Sequence, residues 1–261
     1  MNTGILSDKW NITANRFVAF FDILGFKDRV MRESHQAIYK DLSEIQINEN
    51  ILSEVLVDTT IKKYFGNVDV CVVKFSDSIV LFSKNDSIED FTLFLISARF
   101  LFHSFLKKDF LIKGGMAYGD ISLDRDKQLY FGQPIIDAYL LEEDVNYIGV
   151  AAHNTIDIYR QKIEKDNKFY LLLSQLICDG KTPLKSGFIT HSNLNWFPKL
   201  VGNENLEGKI REDIVNEIIT NLKKYYLNVA GSPRRYIDNT IDFLNKNQDI
   251  NFDKIVLPTT K

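Results

Sequence analysis

Phe17-Val18-Ala19-Phe20-Phe21-Asp22-Ile23-Leu24-Gly25-Phe26 is an apolar run that ends in an acid and a glycine-containing turn. It reads as a buried strand. A second stretch, Val70-Cys71-Val72-Val73-Lys74-Phe75-Ser76-Asp77-Ser78-Ile79-Val80-Leu81-Phe82, reads as two short strands hinged on a Ser-Asp-Ser tip. Each stretch sets one carboxylate at the polar end of a strand. Side by side, Asp22 and Asp77 would hold a hard cation, which points to chemistry on phosphates. The plain alternatives are a helix N-cap for Asp22 and a turn residue for Asp77.

Outward from these runs, a helix-compatible stretch covers about Lys27 to Ile45, with Val30, Ala37, Ile38 and Leu42 on its apolar face. A second covers Ile51 to Tyr64 and stops near Gly66. Val68 to Phe75 and Ile79 to Phe82 form the predicted hairpin. Asp86 or Ser87 caps the next helix, which runs to about Leu106. Phe110 to Tyr118 reads as a strand interrupted by Gly114 and Gly115, so another element must approach its backbone closely or the strand must bend. Gly119-Asp120-Ile121 continues that strand's line, and Asp124 to Lys127 reads as a solvated loop. Gly132 to Glu143 reads as a helix with Pro134 in its first turn. Tyr147 to Val150 would add a strand before a less regular region. This order describes an α+β fold, helices over a mostly antiparallel sheet. Residues 1–180 are expected to form the main body. Residues 181–261, helix-rich and charged from Leu206 to Asn247, are expected to pack on it as an extension, since no Gly/Ser- or Pro-rich linker precedes them.

Bulk composition permits this reading. A chain of 261 residues can bury a full core, and 45% hydrophobic with 26% charged residues are ordinary globular values. A net charge of -3, from 32 basic and 35 acidic residues, gives no global attraction to nucleic acid or to an anionic membrane. Two cysteines, Cys71 and Cys178, do not make a disulfide framework. Neither a signal peptide nor a membrane-length apolar run is visible, so a soluble, cytoplasmic protein is expected.

An unpaired acid at the end of a central strand is costly to bury, so Asp22 needs a cation or several backbone donors. The segment from Asp22 to Phe26 offers a carboxylate and a carbonyl for a metal. The N–H groups of Leu24, Gly25 and Phe26, entering the first helix, would receive phosphates. Arg99, Lys113, Lys223-Lys224 and Arg234-Arg235 are phosphate-binding candidates, with solvated surface charge as the competing reading of each. His35, His103, His153 and His191 lack metal-ligand spacing.

Four elements together resemble the class III nucleotidyl cyclase family, the adenylate and guanylate cyclase homology domain. Phe21-Asp22-Ile23-Leu24-Gly25-Phe26 is similar to its F-x-D-I-x-G-F element, and Phe75-Ser76-Asp77-Ser78-Ile79-Val80 stands where the family has a G-D hairpin. Gly115-Met116-Ala117-Tyr118-Gly119 fits G-I-x-x-G, and Phe131-Gly132-Gln133-Pro134-Ile135 to Ala138 fits the start of the last core motif. They occur in the family's order over roughly residues 15 to 155. The resemblance implies a ferredoxin-like cyclase core working as a head-to-tail homodimer. It implies two divalent ions per site, Mg²⁺ or Mn²⁺, held by Asp22, Asp77 and the Ile23 carbonyl. More narrowly, Phe-Asp-Ile-Leu-Gly-Phe, Ser-Asp-Ser-Ile and Phe-Gly-Gln-Pro-Ile-Ile-Asp-Ala-Tyr-Leu-Leu-Glu resemble the bacterial branch containing the pyrimidine nucleotide cyclases of anti-phage (Pycsar) signalling. Its members convert UTP or CTP to the cyclic monophosphate, which activates a separate effector. That branch implies a base-reading tyrosine on the first helix, here Tyr39, for which simple packing is the alternative.

Departures from the family pattern are equally specific. Its ribose-orienting Asn and transition-state Arg fall on Ile136 and Leu140, its base-reading acid falls on Leu129, and Lys74 is one position out of step with its base-reading lysine. A catalytically degenerate nucleotide-binding or interaction module therefore stands as an alternative. A metal-dependent nuclease or polymerase-like enzyme shares the two-acid logic and is the other.

Overall fold

A computed structural model describes residues 10–45, 68–196, 220–226 and 229–247. In chain order the elements are β1 (Thr13–Ile23), α1 (Phe26–Arg32), α2 (His35–Glu44), β2 (Val70–Phe75), β3 (Ser78–Ser83), α3 (Ile88–Lys107), β4 (Ile112–Asp124) and β5 (Leu129–Phe131). There follow α4 (Gln133–Asp144), β6 (Val150–Ala152), α5 (Asn154–Arg160), α6 (Tyr170–Leu176), β7 (Ile177–Leu184), β8 (Gly187–Leu194) and α7 (Ser232–Asn247). The eight strands form one sheet in the order β2-β3-β1-β4-β6-β8-β7, with β5 paired to β4 off that path. Among the described strands only the β4–β6 pair is parallel. The expected α+β class, with a mostly antiparallel sheet, is what the chain adopts. Within it, β1 to β4 and their helices form a β-α-β-β-α-β unit with strands ordered β2-β3-β1-β4, the ferredoxin-like arrangement.

The first quoted run sits between β3 and β4 because it is apolar on both faces. Phe17, Ala19, Phe21 and Ile23 enter the larger core with α3, whereas Val18 joins a smaller cluster with Phe82, Ala117, Ile121 and Ala138. α3 begins in a capping box: Ser87 Oγ accepts from the Asp90 N–H at 3.1 Å, and the Asp90 carboxylate accepts from the Ser87 N–H at 3.2 Å. Its Phe91, Phe94, Phe102 and Phe105 are fully buried.

α4 covers the smaller cluster, and the paired glycines explain how closely. A Cβ on Gly115 would lie 2.2 Å from the Ala138 carbonyl oxygen. The backbone approach expected at Gly114-Gly115 is therefore, at Gly115, the seating of α4 on β4, which brings that helix's C-terminal end beside Lys113, and at Gly114 the Phe20 carbonyl of β1, 2.8 Å from where a Cβ would lie.

Several boundaries differ from expectation. The single helix expected over Lys27 to Ile45 is two, because Ser34 accepts from the Ala37 N–H at 3.2 Å and starts α2 afresh. β4 extends through Asp124, and β6 begins at Val150 rather than Tyr147. The region expected to be less regular contains α5, α6 and the β7–β8 hairpin. Residue 180 falls inside β7, so the expected division between 1–180 and 181–261 cuts a strand of the common sheet. The Ile51 to Tyr64 stretch lies outside the described residues. Of the charged C-terminal stretch, residues 220–226 and α7 are helical. No helix among the described residues is long and apolar enough to cross a membrane.

Candidate metal centre

Asp22 is the penultimate residue of β1, opposite Ser78 on β3 and Lys113 on β4. Asp77 occupies the two-residue turn between β2 and β3, where Ser76 takes a left-handed conformation, φ 56°. The Ile23 N–H donates to the Asp77 carbonyl at 3.0 Å, which ties the hairpin tip to the end of β1. Both acids thus sit at one end of neighbouring strands. The N-cap of α1 is Gly25, φ 72°, with no side-chain cap, so Asp22 is not a helix cap. Asp77 remains a turn residue as well as a site candidate.

The loop between β1 and α1 is fixed from below. Leu24 N–H donates to the Leu111 carbonyl at 2.8 Å. Arg29 reaches the Lys108 and Asp109 carbonyls at 3.3 and 3.2 Å and Asp41 at 3.0 Å, its guanidinium 3.8 Å above the Phe110 ring. Ile23 is buried, Leu24 and Phe26 are half-buried and Gly25 is exposed, so this loop presents backbone rather than long side chains.

Burial raises the Asp22 carboxyl above the usual carboxylate range; Asp77 and Glu143 push the same way, and Lys113 and Lys185 oppose them. Lys113 is largely committed elsewhere. Its ammonium lies 2.7 Å from Glu142 Oε1 and donates to the Glu142 carbonyl at 2.6 Å, and both side chains are about 5% exposed. That ion pair joins β4 to α4, and the phosphate contact expected of Lys113 does not fit this placement.

The other expected residues scatter. Tyr39 is on α2 and 69% exposed, and no contact among the described residues joins it to Asp22. Arg99 is on α3, across the sheet. Lys224 pairs with Asp109 at 2.7 Å, and Arg234 donates to the Tyr226 carbonyl at 3.0 Å. Lys74 donates to the Leu42 and Ile45 carbonyls at the end of α2. Leu129, Ile136 and Leu140 are all more than half exposed.

Four neighbours were not anticipated. On α4, Tyr139 sits edge-on to Phe20, ring centroids 5.3 Å apart, and hydrogen-bonds Glu143. Their i, i+4 spacing in a predicted helix was the available signal. Lys185, in the turn between β7 and β8, and Tyr236, on α7, interact electrostatically with Asp22. Nothing local in the sequence marks either one.

Among the described residues no three of His, Cys, Asp or Glu gather, so a transition-metal cage is not the pattern here. Asp22 and Asp77 instead offer hard oxygens with no hydrogen-bonding or ion-pair partner among the described residues, and the nearest buried cation is already paired. That surplus of negative charge on oxygen donors fits Mg²⁺ or Mn²⁺, with the Ile23 carbonyl as a further donor and the remaining positions left to a ligand and water.

No protein-family model and no curated protein matches the chain. Among solved structures it is similar to a bacterial light-regulated adenylyl cyclase (12% identity, TM-score 0.45), over 79% of this chain and 58% of that one. It is similar to the catalytic core of a rhodopsin-guanylyl cyclase with converted specificity, in complex with ATPαS (13%, 0.45), over 69% and 94%. A third is an adenylate/guanylate cyclase/hydrolase from Silicibacter pomeroyi (14%, 0.41), over 72% and 99%. These are likenesses at low identity, and no substrate or assembly passes from them to this chain.

Proposed function

We propose that the protein is a nucleotidyl cyclase that converts a pyrimidine nucleoside triphosphate, UTP ahead of CTP, to its 3',5'-cyclic monophosphate and pyrophosphate. The observation that carries this is the pair Asp22 and Asp77, unpartnered acids on adjacent strand ends of a ferredoxin-like unit, in the motif order quoted above. In the reaction the ribose 3'-oxygen bonds to the α-phosphorus, the α–β bridging bond breaks, and the hydroxyl proton leaves to solvent. Asp22, Asp77 and the Ile23 carbonyl would hold the divalent ions, which when bound supply the Lewis acidity that acidifies the hydroxyl and neutralises pyrophosphate. The backbone N–H groups of Gly25 and Phe26 receive phosphate oxygens, the Leu24 N–H expected to join them being held instead by the Leu111 carbonyl, and Tyr39 faces the base. Leu129 supports the pyrimidine assignment: a carboxylate there accepts the exocyclic amine of adenine, and leucine does not.

A head-to-tail homodimer completes the proposed site. Its support is the apolar surface on α4 and the neighbouring β5, where Ile136, Leu140, Leu129 and Phe131 are 51–57% exposed, together with Phe75 at the end of β2, 80% exposed. Light scattering is expected to give about twice the 30.2 kDa chain mass, and a fully active monomer would exclude the arrangement. The product, in this reading, is a second messenger of anti-phage defence read by a separate effector.

Leu129, Ile136 and Leu140 also favour a second reading, a cyclase-like module that binds nucleotide without turnover. Competition among the four triphosphates at equal concentration with Mn²⁺, products separated by mass, distinguishes these. A cyclic pyrimidine monophosphate is expected. Cyclic AMP or GMP would overturn the base assignment, an extended or cut polynucleotide would indicate a polymerase or nuclease, and no product would favour the binding module.

A further inference from the structure

α7 lies outside residues 15 to 155, yet it is docked on the segment that follows α4. Thr240 Oγ1 accepts from the Ile148 N–H at 2.8 Å, and Asn239 Nδ2 donates to the Asn146 carbonyl at 2.7 Å. Phe243 packs on Tyr147, ring centroids 4.8 Å apart. The turn between β7 and β8 is clasped to the same place: Lys185 N–H donates to the Asp144 carbonyl at 2.7 Å, and Ser186 Oγ donates to Asp144 Oδ2 at 2.7 Å. Two residues earlier on α4 stands Glu142, the buried partner of Lys113, which is opposite Asp22 in the sheet.

Tyr236 is one helical turn before Thr240, on the same docked face, and its carbonyl accepts from Thr240 Oγ1 at 2.5 Å. This placement sets its half-buried phenol toward the C-terminal end of α4, within electrostatic range of Lys185, Glu142 and Asp22. Burial keeps the phenol protonated above its usual range, so it serves as a donor. Glu142 is engaged by Lys113. Neither the Tyr236 hydroxyl nor the Lys185 ammonium has an acceptor among the described residues. Two donors without acceptors among the described residues thus lie near carboxylates that no ion pair among those residues closes, and a metal-bound phosphate chain satisfies both sets.

We infer that Tyr236 is a substrate-binding residue of the Asp22–Asp77 site, its hydroxyl donating a hydrogen bond to the phosphate chain of a nucleoside triphosphate, with Lys185 adding positive charge from the β7–β8 turn. The inference rests on the cyclase reading and gives the C-terminal helix a part in the site within its own chain.

Steady-state kinetics of the full chain with UTP and with CTP in Mn²⁺ test it, comparing wild type, Tyr236→Phe and Asp77→Ala. Removal of one hydrogen bond to a charged group is expected to raise KM about tenfold in Tyr236→Phe, with melting temperature unchanged and kcat less affected. Lys185→Gln is expected to raise KM in the same direction. A Tyr236→Phe KM within about twofold of wild type, while Asp77→Ala is inactive, overturns the inference and leaves the cyclase reading standing. A wild type inert toward all four triphosphates overturns both.

Discussion

The two faces of the sheet are built differently. Beneath α3 the packing is dense and aromatic: Phe17, Phe91 and Phe94 meet with ring centroids 4.6–5.7 Å apart, and Tyr118 and Tyr159 close the cluster. Under α4 the cover is thin, with Phe20, Cys71, Val73 and Val80 only partly buried. Asp22 and Lys113 project on that second side, since they continue the alternation of Val18 and Phe20 on β1 and of Ala117 and Gly115 on β4. One face therefore holds the denser aromatic packing, and the other carries Asp22, Lys113 and Glu142 under a thinner apolar cover.

Breaking the two faces separately should give separate phenotypes. Asp22→Ala or Asp77→Ala is expected to lower triphosphate turnover by about a thousandfold or more while the protein stays folded. Phe94→Ala is expected to cost about 3–5 kcal/mol in denaturant unfolding while leaving kcat per folded molecule unchanged. Near-wild-type turnover in either aspartate variant would end the two-metal proposal.

Lys113→Met sharpens the comparison, because it leaves Glu142 buried without its partner. About 3–5 kcal/mol of destabilisation is expected, mostly recovered in the Lys113→Met/Glu142→Leu double variant. If Lys113 instead acted only on substrate, the single variant would unfold like wild type. Gly115→Ala probes the seating of α4 and is expected to cost about 1–3 kcal/mol, since the new methyl meets the Ala138 carbonyl rather than a movable side chain.

The smallest effect concerns pH. Folded Asp22 holds its proton to a higher pH than the unfolded residue does, chiefly through burial. Its contribution to metal-free stability is therefore present below the ordinary carboxylate pKa and is lost as pH rises through the raised one. Asp22→Asn should accordingly raise the metal-free melting temperature near about pH 7 and leave it unchanged near about pH 3. A variant less stable than wild type at neutral pH would show that the carboxylate is already compensated within the chain.

Much of the backbone around the candidate site was legible because its signals are local. Apolar runs ending in Asp22 and Asp77, the Gly114-Gly115 interruption and Pro134 in a first turn each report the backbone around them. The pairing of Lys113 with Glu142 is not of this kind, since it joins residues 29 positions apart, and a lysine beside an apolar strand looks the same whether it meets a phosphate or an internal acid. Arg16 makes the same point within β1. It is fully buried, and its guanidinium donates to the Ile121 and Lys84 carbonyls at 2.6 and 3.1 Å, acceptors distant in sequence. The β7–β8 hairpin was missed because Ile177 to Leu184 carries Asp, Gly, Lys and Pro, which dilute the strand pattern. Lys185 and Tyr236 were then not readable as neighbours of Asp22, because their position depends on that hairpin and on the docking of α7.

Binding of Mn²⁺ followed by electron paramagnetic resonance, with and without UTP, tests the central claim without requiring turnover. Wild type is expected to bind Mn²⁺, to take up further ion with the nucleotide, and to lose both in Asp22→Asn and Asp77→Asn. Wild-type Mn²⁺ binding retained in the Asp22→Asn/Asp77→Asn double variant would contradict the account, because the ion would then sit elsewhere than between these two strand ends.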